Sequence, residues 1–570
     1  MADYPHENRT TSEGEPISNA DIADQLTTLA QLLSVQNENR YKVKAWNRAA
    51  AKIRTLTESL AELVHEDADL TVYKGIGDAV AAAVREIVLK GNLHHLEMLR
   101  ASVHDELAAI SRYPRLDPRR VLRTYKKLGI SSIAELREKL ESGEIRQVLG
   151  DRMEQHIRQG LTEAHAMLLY RADDLRTGIE EFLLDRCRVR RAEPAGDYRR
   201  RRETVEEIAF VIETGDFPSV VAKLQHMGGR TPLISCEEKE ALFALSSGIM
   251  LRIRAAAPSA WGLNLIECTG SKSHLDKLTS RTGSLARLEA CTLPDESVFY
   301  RRFGLSFIEP ELREGHDEVE RAGDGSLPVL VSAQDIRGDL HAHSLSSDGR
   351  NSIEEMAEAA QQRGYEYVGI TDHSQSLKIA RGLPAEDLWQ QIRFIDRLNE
   401  RLNGIRILKS SEVDILADGS LDYPDELLKE LDYTVCSIHS RFALGKREQT
   451  ERIMRAMDNR RFHILGHATG RLLLKRTGYE IDVDRIIPHA RQAGCFFEIN
   501  SSPDRLDLSA ENARAAAQAG VRIAISTDSH STREFALIRY GLDQARRAGL
   551  TKSSVLNCLT WRELQPLLQR

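Results

Sequence analysis

The sequence predicts a multidomain chain, α-helical at its N-terminus, α+β in its middle and built as a βα barrel of seven repeats at its C-terminus. Three observations carry this reading. Apolar residues recur at helical spacing from Asn19, as in Ile22, Leu26, Leu29, Leu32 and Leu33. Strand-like runs (IAFVIE, IMLRIRA, LNLIECT) alternate with helices between Arg186 and Pro310. From Asp335 onward seven short apolar runs each precede a helix-like stretch, a rhythm that suits a closed or nearly closed barrel better than an open sheet.

Taken in order, residues 1–18 are polar and read as a disordered tail, and residues 19–110 as a helical domain poor in Pro and Gly. Residues 111–185 read as a second helical segment and 186–314 as the α+β unit. Residues 315–334 contain GHDEVERAGDGS and read as an exposed linker, leaving 335–570 for the barrel. Its strand candidates are Arg337–Leu340, Tyr367–Ile370, Ile405–Leu408, Tyr433–Ile438, His463–Leu465, Cys495–Ile499 and Val521–Ser526.

Composition bounds the function. The 570 residues suffice for about three to five domains at roughly 100–200 residues each, and 41% hydrophobic content supports packed cores. No run approaches the roughly 18 apolar residues of a membrane span, and the polar start lacks a secretory signal. Seven scattered cysteines without a CxxC argue against a disulfide framework and for a reducing, cytoplasmic setting. With 79 basic against 86 acidic residues, the charge carries no global signature of nucleic-acid binding.

The barrel region places its polar residues at strand ends. His341 and His343 close the first strand with Asp348 just beyond, His373 the second, Glu412 the third, His439 the fourth, His467 the fifth, and Asp528 with His530 the seventh. Side chains at strand C-termini converge on one face of such a barrel. A single strand-end His is ordinarily structural, but six of the eight histidines after Asp335 follow this pattern with Asp and Glu partners. His463 and His489 fall outside it and keep the structural reading. Imidazole and carboxylate suit Zn²⁺, Mn²⁺ or Fe²⁺, and nine donors at roughly three per ion hold about two or three ions. Clustered divalent ions stabilise both oxygens of an in-line phosphoryl displacement, so phosphoester hydrolysis is the natural reaction class.

Toward the N-terminus, Lys74-Gly75-Ile76-Gly77 forms a hydrophobic-Gly-hydrophobic-Gly turn before a helix, which suits a phosphate. Upstream, YKVKAWNRAAAKIR sets Lys42 and Lys44 among further cations around Trp46, a solvated face or a DNA backbone footprint.

GDLHAHSLSSDG, GITDHS, SSEVDIL, SIHSRF, GHATGRLL, EINSSPDRLDL and STDSH resemble the polymerase-and-histidinol-phosphatase (PHP) domain of bacterial family X DNA polymerases. The resemblance implies a trinuclear metal centre on all nine donors. It also implies manganese-dependent 3′–5′ exonuclease activity, with His341, His343, Glu412, His439 and Asp528 carrying the catalysis. The N-terminal turn resembles that family's helix-hairpin-helix domain, which assigns Lys42, Lys44, Lys74, Gly75 and Gly77 to DNA. A second hairpin is expected near Pro114, but Pro114-Arg115-Leu116-Asp117-Pro118 lacks both glycines.

The polymerase palm of this family holds two Mg²⁺ ions on three aspartates, a DxD pair and a third on a neighbouring strand. Here Glu207 and Ala209 replace the pair, Arg252 the third and Asp197 a triphosphate-binding serine. These replacements predict that the palm holds no Mg²⁺ and has lost templated synthesis. Eight arginines between Arg186 and Arg202, Arg199 and Arg200 among them, read as a remaining DNA backbone contact or a solvated face. Arg381, Arg471 and Arg505 are candidates to grip phosphates beside the barrel centre. The expected partner is DNA with 3′ ends, gaps or single strands. The alternatives are a bifunctional gap-filling polymerase with exonuclease, a histidinol-phosphatase-like small-molecule phosphatase, and a non-enzymatic DNA scaffold, which the complete donor set disfavours.

Overall fold

Local signals start most of the N-terminal helices. Helix Asn19–Val35 opens on a reciprocal cap between Ser18 and Asp21, and Asn39 and Ser59 cap the next two with their side chains. In the computed structural model, residues 17–36, 38–101, 124, 127–130, 133–150, 153, 154, 157, 166–285 and 291–569 are described. The expected second hairpin at Pro114–Pro118 lies outside them, as does most of the polar tail. The chain divides into two units: Met1–Met167 with Arg171–Gly196 and Val205–Asn264, and Leu168–Tyr170 with Asp197–Thr204 and Leu265–Arg570.

In the first unit, Ile22, Leu26, Leu29, Leu32 and Leu33 all turn inward against Ile53, Val80, Val84 and Ile87. A five-stranded sheet follows: β1 (Arg191–Ala195), β2 (Glu207–Glu213), β3 (Leu233–Cys236), β4 (Glu240–Ala244) and β5 (Met250–Ala255), in the order β1-β2-β5-β4-β3. β2 and β5 run parallel, with Ala209 opposite Arg252, while the other neighbours are antiparallel.

The second unit carries the parallel strands β6 (Gly338–Ala342), β7 (Tyr367–Ile370), β8 (Arg406–Lys409), β9 (Glu412–Asp414), β10 (Val435–Ser437), β11 (Ile464–Leu465), β12 (Phe496–Asn500) and β13 (Ile523–Ser526). They form a three-stranded sheet, β8-β7-β6, and a five-stranded sheet, β9-β10-β11-β12-β13. The third expected strand, Ile405–Leu408, is β8 and pairs with β7, while the residues after Ser410-Ser411 form a further short strand, β9, that pairs with β10. Single parallel bridges join the sheets at His373–Glu412 and at Ala342–Ser529. Strand packing is close. A Cβ on Gly369 would meet the Tyr433 hydroxyl at 1.7 Å, and that hydroxyl donates to Leu340 O at 2.7 Å.

The expected exposed linker at 315–334 is corrected by the structure. It forms helix Glu318–Asp324, buries Glu318, Val319 and Ala322, and brings Glu318 Oε1 to 2.7 Å from Nδ1 of buried His274. Its Gly- and Asp-rich composition resembles a linker, but a distant imidazole draws the carboxylate inward.

Candidate metal centre

Parallel strands place their C-termini on one side, and the loops leaving them carry seven of the nine candidate donors. His341 lies within β6 and Glu412 opens β9. His343, His373, His439, His467 and Asp528 follow strands by one to three residues, and Asp348 and His530 by somewhat more. His467 and Asp528 both adopt left-handed backbone (φ 26° and 55°), unusual for residues with a Cβ and characteristic of constrained sites.

The donors fall into three groups whose ligand atoms lie within 4.8 Å of one another: His343, Asp348, His373 and His530; His341, His343 and Asp528; and His373, Glu412 and His439. His467 stands outside these groups, yet its Nε2 is 2.8 Å from Glu412 Oε1. Glu412 is the hub. Its other oxygen, Oε2, lies 2.7 Å from His373 Nδ1, 3.5 Å from His341 Nε2 and 3.7 Å from His343 Nε2.

Buried nitrogens and oxygens ordinarily have hydrogen-bond partners. Here His341 Nε2, His343 Nδ1, His373 Nδ1, His467 Nδ1 and Glu412 Oε2 are buried without a partner in hydrogen-bonding geometry, His373 Nδ1 and Glu412 Oε2 facing each other at 2.7 Å but misaligned for a bond. Five such atoms in one cluster match the lone-pair donors that divalent ions need, so the residues present fit a multi-ion centre.

The electrostatics point the same way. Burial would push Glu412 and Asp528 up, but surrounding imidazoles, His373 for Glu412 and His341 for Asp528 foremost, hold both carboxyls well below their usual range. Burial opposes charge on His341 and His439 too. Even so, Glu498 with its neighbours raises His341, and Glu412 brings His439 up to about 10. His530, hydrogen-bonded to Asp348, rises to about 9 despite its burial. His343 moves the other way, down to about 4, through burial and the adjacent His373. These carboxylates are held ionised, and the imidazoles around them compete for protons that a cation would displace.

A further set of residues orients the donors. Glu498, fully buried, places Oε1 2.7 Å from His341 Nδ1 and accepts from the His467 backbone N–H at 2.8 Å through Oε2. Asp414 Oδ1 lies 3.0 Å from His439 Nδ1, and Asn500 donates to Asp528 Oδ2 at 3.1 Å. Asp372 accepts from Ser344, Ser347 and Gln391, which ties down the loop bearing Asp348. Carboxylates behind ligating imidazoles fix tautomer and ring direction. The sequence reading missed all of these, although Asp372 and Asp414 sit one and two residues from a donor and Asn500 ends the strand that carries Glu498. His463 and His489 are structural, bonded to Thr434 and Leu568 O and to Met454 O and Asp458.

Comparisons with known proteins agree with this geometry. A helix-hairpin-helix domain model matches residues 17–93 and a PHP domain model matches residues 339–502. The chain is 34% identical over 575 residues to a Bacillus subtilis protein described as "DNA polymerase/3'-5' exonuclease PolX", covering 96% of this chain and 99% of that protein. The chain belongs to the PolX family. Part of the chain alone is 31% identical over 231 residues to a "Probable phosphatase" of Thermoanaerobacter sp., covering 38% of this chain and 89% of that protein. A further "Probable phosphatase", from Syntrophotalea carbinolica, is 28% identical over 239 residues (40% of this chain, 94% of that protein).

The positions expected to form the palm of this PolX chain have a different environment. Arg252 donates through Nε and Nη2 to the two Glu207 oxygens at 2.8 and 2.9 Å, and through Nη1 to Glu240. Arg254 adds a second cation 3.7 Å from Glu240. The Glu207 hydrogen bond raises the Arg252 pKa, so the guanidinium is permanently charged. Ala209, directly opposite Arg252, offers no ligand.

Arg199 and Arg200, expected as DNA contacts, have internal partners. Arg199 is bidentate to Glu296 at 2.8 and 2.6 Å, and Arg200, buried, serves Thr269 O, Glu314 and Asp197. Internal carboxylates take the place of phosphates at both. Arg471 likewise pairs with Glu203 and Leu506 O, whereas Arg505 Nε lies 3.9 Å from Asp528 Oδ2 and Arg381 stays exposed. In the hairpin, Gly75 takes φ 101° and Ile76 plugs the helical core. Gly77 starts helix Asp78–Lys90 without a side-chain cap, leaving first-turn N–H groups open beside exposed Lys74. Lys42 and Lys44 are exposed on helix Arg40–Ile53, Lys42 within 3.6 Å of Glu38.

Proposed function

We propose that this PolX chain is a metal-dependent phosphodiesterase that removes nucleotides from DNA 3′ ends at its C-terminal centre, with the nine donors as ligands to two or three Mn²⁺, Zn²⁺ or Fe²⁺ ions. The carrying observation is the cluster of buried, unpartnered imidazole and carboxylate atoms around Glu412. The strands then form a distorted barrel. The two single bridges that join its sheets support closure. Seven free cysteines support action in a reducing compartment, and no helix among the described residues is long and apolar enough to cross a membrane.

When bound, such ions supply an activated water and neutralise charge on both oxygens of the scissile phosphodiester. The protein's share is orientation. Glu498 and Asp414 aim His341 and His439, and Asn500 holds Asp528. Arg505 brings a cation to the edge of the centre for a neighbouring phosphate. The uncapped helix at Gly77, with Lys74, Lys42 and Lys44, holds DNA backbone. In the palm, Arg252 occupies the role of a cation, so polymerisation is lost.

Digestion of end-labelled single-stranded and gapped DNA, titrated with Mn²⁺, tests the proposal. Wild type is expected to shorten the strand from its 3′ end, and H341A and D528A to leave it intact. Equal degradation by all three would sink it. Robust primer extension by wild type would restore the bifunctional reading. The likeness to probable phosphatases favours a second reading, small phosphomonoester hydrolysis, which release of phosphate from a sugar phosphate faster than from DNA would establish.

A further inference from the structure

Between residues 335 and 569 the exposed large apolar side chains are Leu345, Ile379 and Leu474, at 54%, 94% and 40% exposure. All three sit on loops that leave donor-bearing strands, after His343, His373 and His467 respectively, and none on the opposite end of the strands. Isolated exposed apolar residues need no explanation, but this placement is selective.

The Ile379 loop is built rather than loose. It leaves at His373 and returns to it: Leu383 N–H donates to His373 O at 2.8 Å, and Ser374 N–H donates to Glu412 O at 3.0 Å. Ser376 N–H donates to Asp422 and Ser376 Oγ to Asp414, the partner of His439. Ile379 lies four residues from Leu383, so even a fully extended chain keeps its Cα within about 14 Å of the centre's edge. Exposed Lys378 and Arg381 flank it, and neither has an ion-pair partner among the described residues. The Leu345 loop repeats the pairing with exposed Arg350, whose N–H donates to His530 O at 2.8 Å.

Resting on the phosphodiesterase reading, we infer that these loops form a recognition rim for the last unpaired nucleotides of a DNA strand. Lys378, Arg381 and Arg350 take phosphates while Ile379 and Leu345 pack against base faces. An apolar tip between unpaired cations matches an unpaired strand, which offers both a polyanion and exposed base surface. A small phosphomonoester is too short to use such a rim.

Ultraviolet crosslinking of the full chain to a single-stranded oligonucleotide ending in 3′-terminal 5-iododeoxyuridine, with Ca²⁺ present, should attach the base to peptides containing Ile379 or Leu345. Adducts confined to other segments would overturn the rim. For I379S, the ratio of kcat/KM on that strand to kcat/KM on bis(p-nitrophenyl) phosphate should fall about tenfold, the loss expected from one buried aliphatic contact. An unchanged ratio counts against the rim and for a protein partner on these side chains. Crosslinking at both loops in a chain that hydrolyses neither substrate would sustain the rim and remove the phosphodiesterase reading.

Discussion

Two clusters of carboxylates in this chain differ in who supplies the counter-charge. In the palm, Glu207 and Glu240 meet Arg252 and Arg254, so the cations are covalently part of the chain and carboxylate and guanidinium satisfy each other. In the C-terminal centre, Glu412, Asp528 and Asp348 meet imidazoles, several of whose nitrogens have no hydrogen-bond partner. A guanidinium cannot give up its proton or its place, whereas an imidazole can deprotonate and ligate. Acidic residues alone therefore do not make a metal site. The basic residue beside them decides whether the position stays open to an ion.

The sharpest way to break this contrast is to remove ligands where it says ions belong. D528A and H341A should each lose at least one bound metal per chain by elemental analysis. Both should lose about a thousandfold in phosphodiester hydrolysis, given several kcal/mol of charge stabilisation per ion. Retention of full metal content would collapse the contrast. One step back, E498Q keeps the shape but weakens the hold on His341. Metal affinity measured by competition with a chelator should drop about 10–100-fold, the usual cost of losing such an orienting carboxylate.

In the palm the expectation is reversed. R252A leaves Glu207 and Glu240 facing each other, and chemical denaturation should show a loss of about 1–2 kcal/mol. That is below the figure for a fully buried pair because the arginine is a third exposed. The triple change E207D, A209D and R252D should gain Mg²⁺ affinity that wild type lacks, read by calorimetry. Equal Mg²⁺ binding by both would show that the arginine was never the obstacle.

The smallest effect concerns His274 and Glu318 in the former linker. Burial lowers the His274 pKa. The His274 hydrogen bond, against the pull of burial, lowers that of Glu318. Both groups therefore bind fewer protons folded than unfolded. Their contribution is complete above the ordinary histidine value, is lost first at His274 as pH falls below it, and then at Glu318 through the carboxylate range. The thermal midpoint should decline on acidification below about pH 6.5, and more steeply in wild type than in H274F, which lacks the titrating ring.

Much of the site was legible because its signal is local. A side chain at the end of an apolar run needs only the strand beneath it and its parallel neighbours to reach the common face, so the candidate donors that gather around Glu412 could be read from short runs. Strand limits moved by no more than two residues, and one further strand, Glu412–Asp414, opens the second sheet just after the third run. The helical face from Ile22 to Leu33 was legible for the same reason.

What the sequence by itself determined is thus the residue inventory and its spacing: His, Asp and Glu near strand ends, a glycine hairpin before a helix, and Glu207, Ala209 and Arg252 at the expected palm positions. Tertiary structure alone decided the pairings. Glu498 reaches His341 across 157 positions, Arg199 meets Glu296 across 97 and His274 meets Glu318 across 44. A charge's partner depends on which distant segment packs beside it, because burial makes an unpaired charge costly and rewards whatever opposite charge the fold brings within reach. Periodicity carries no record of that.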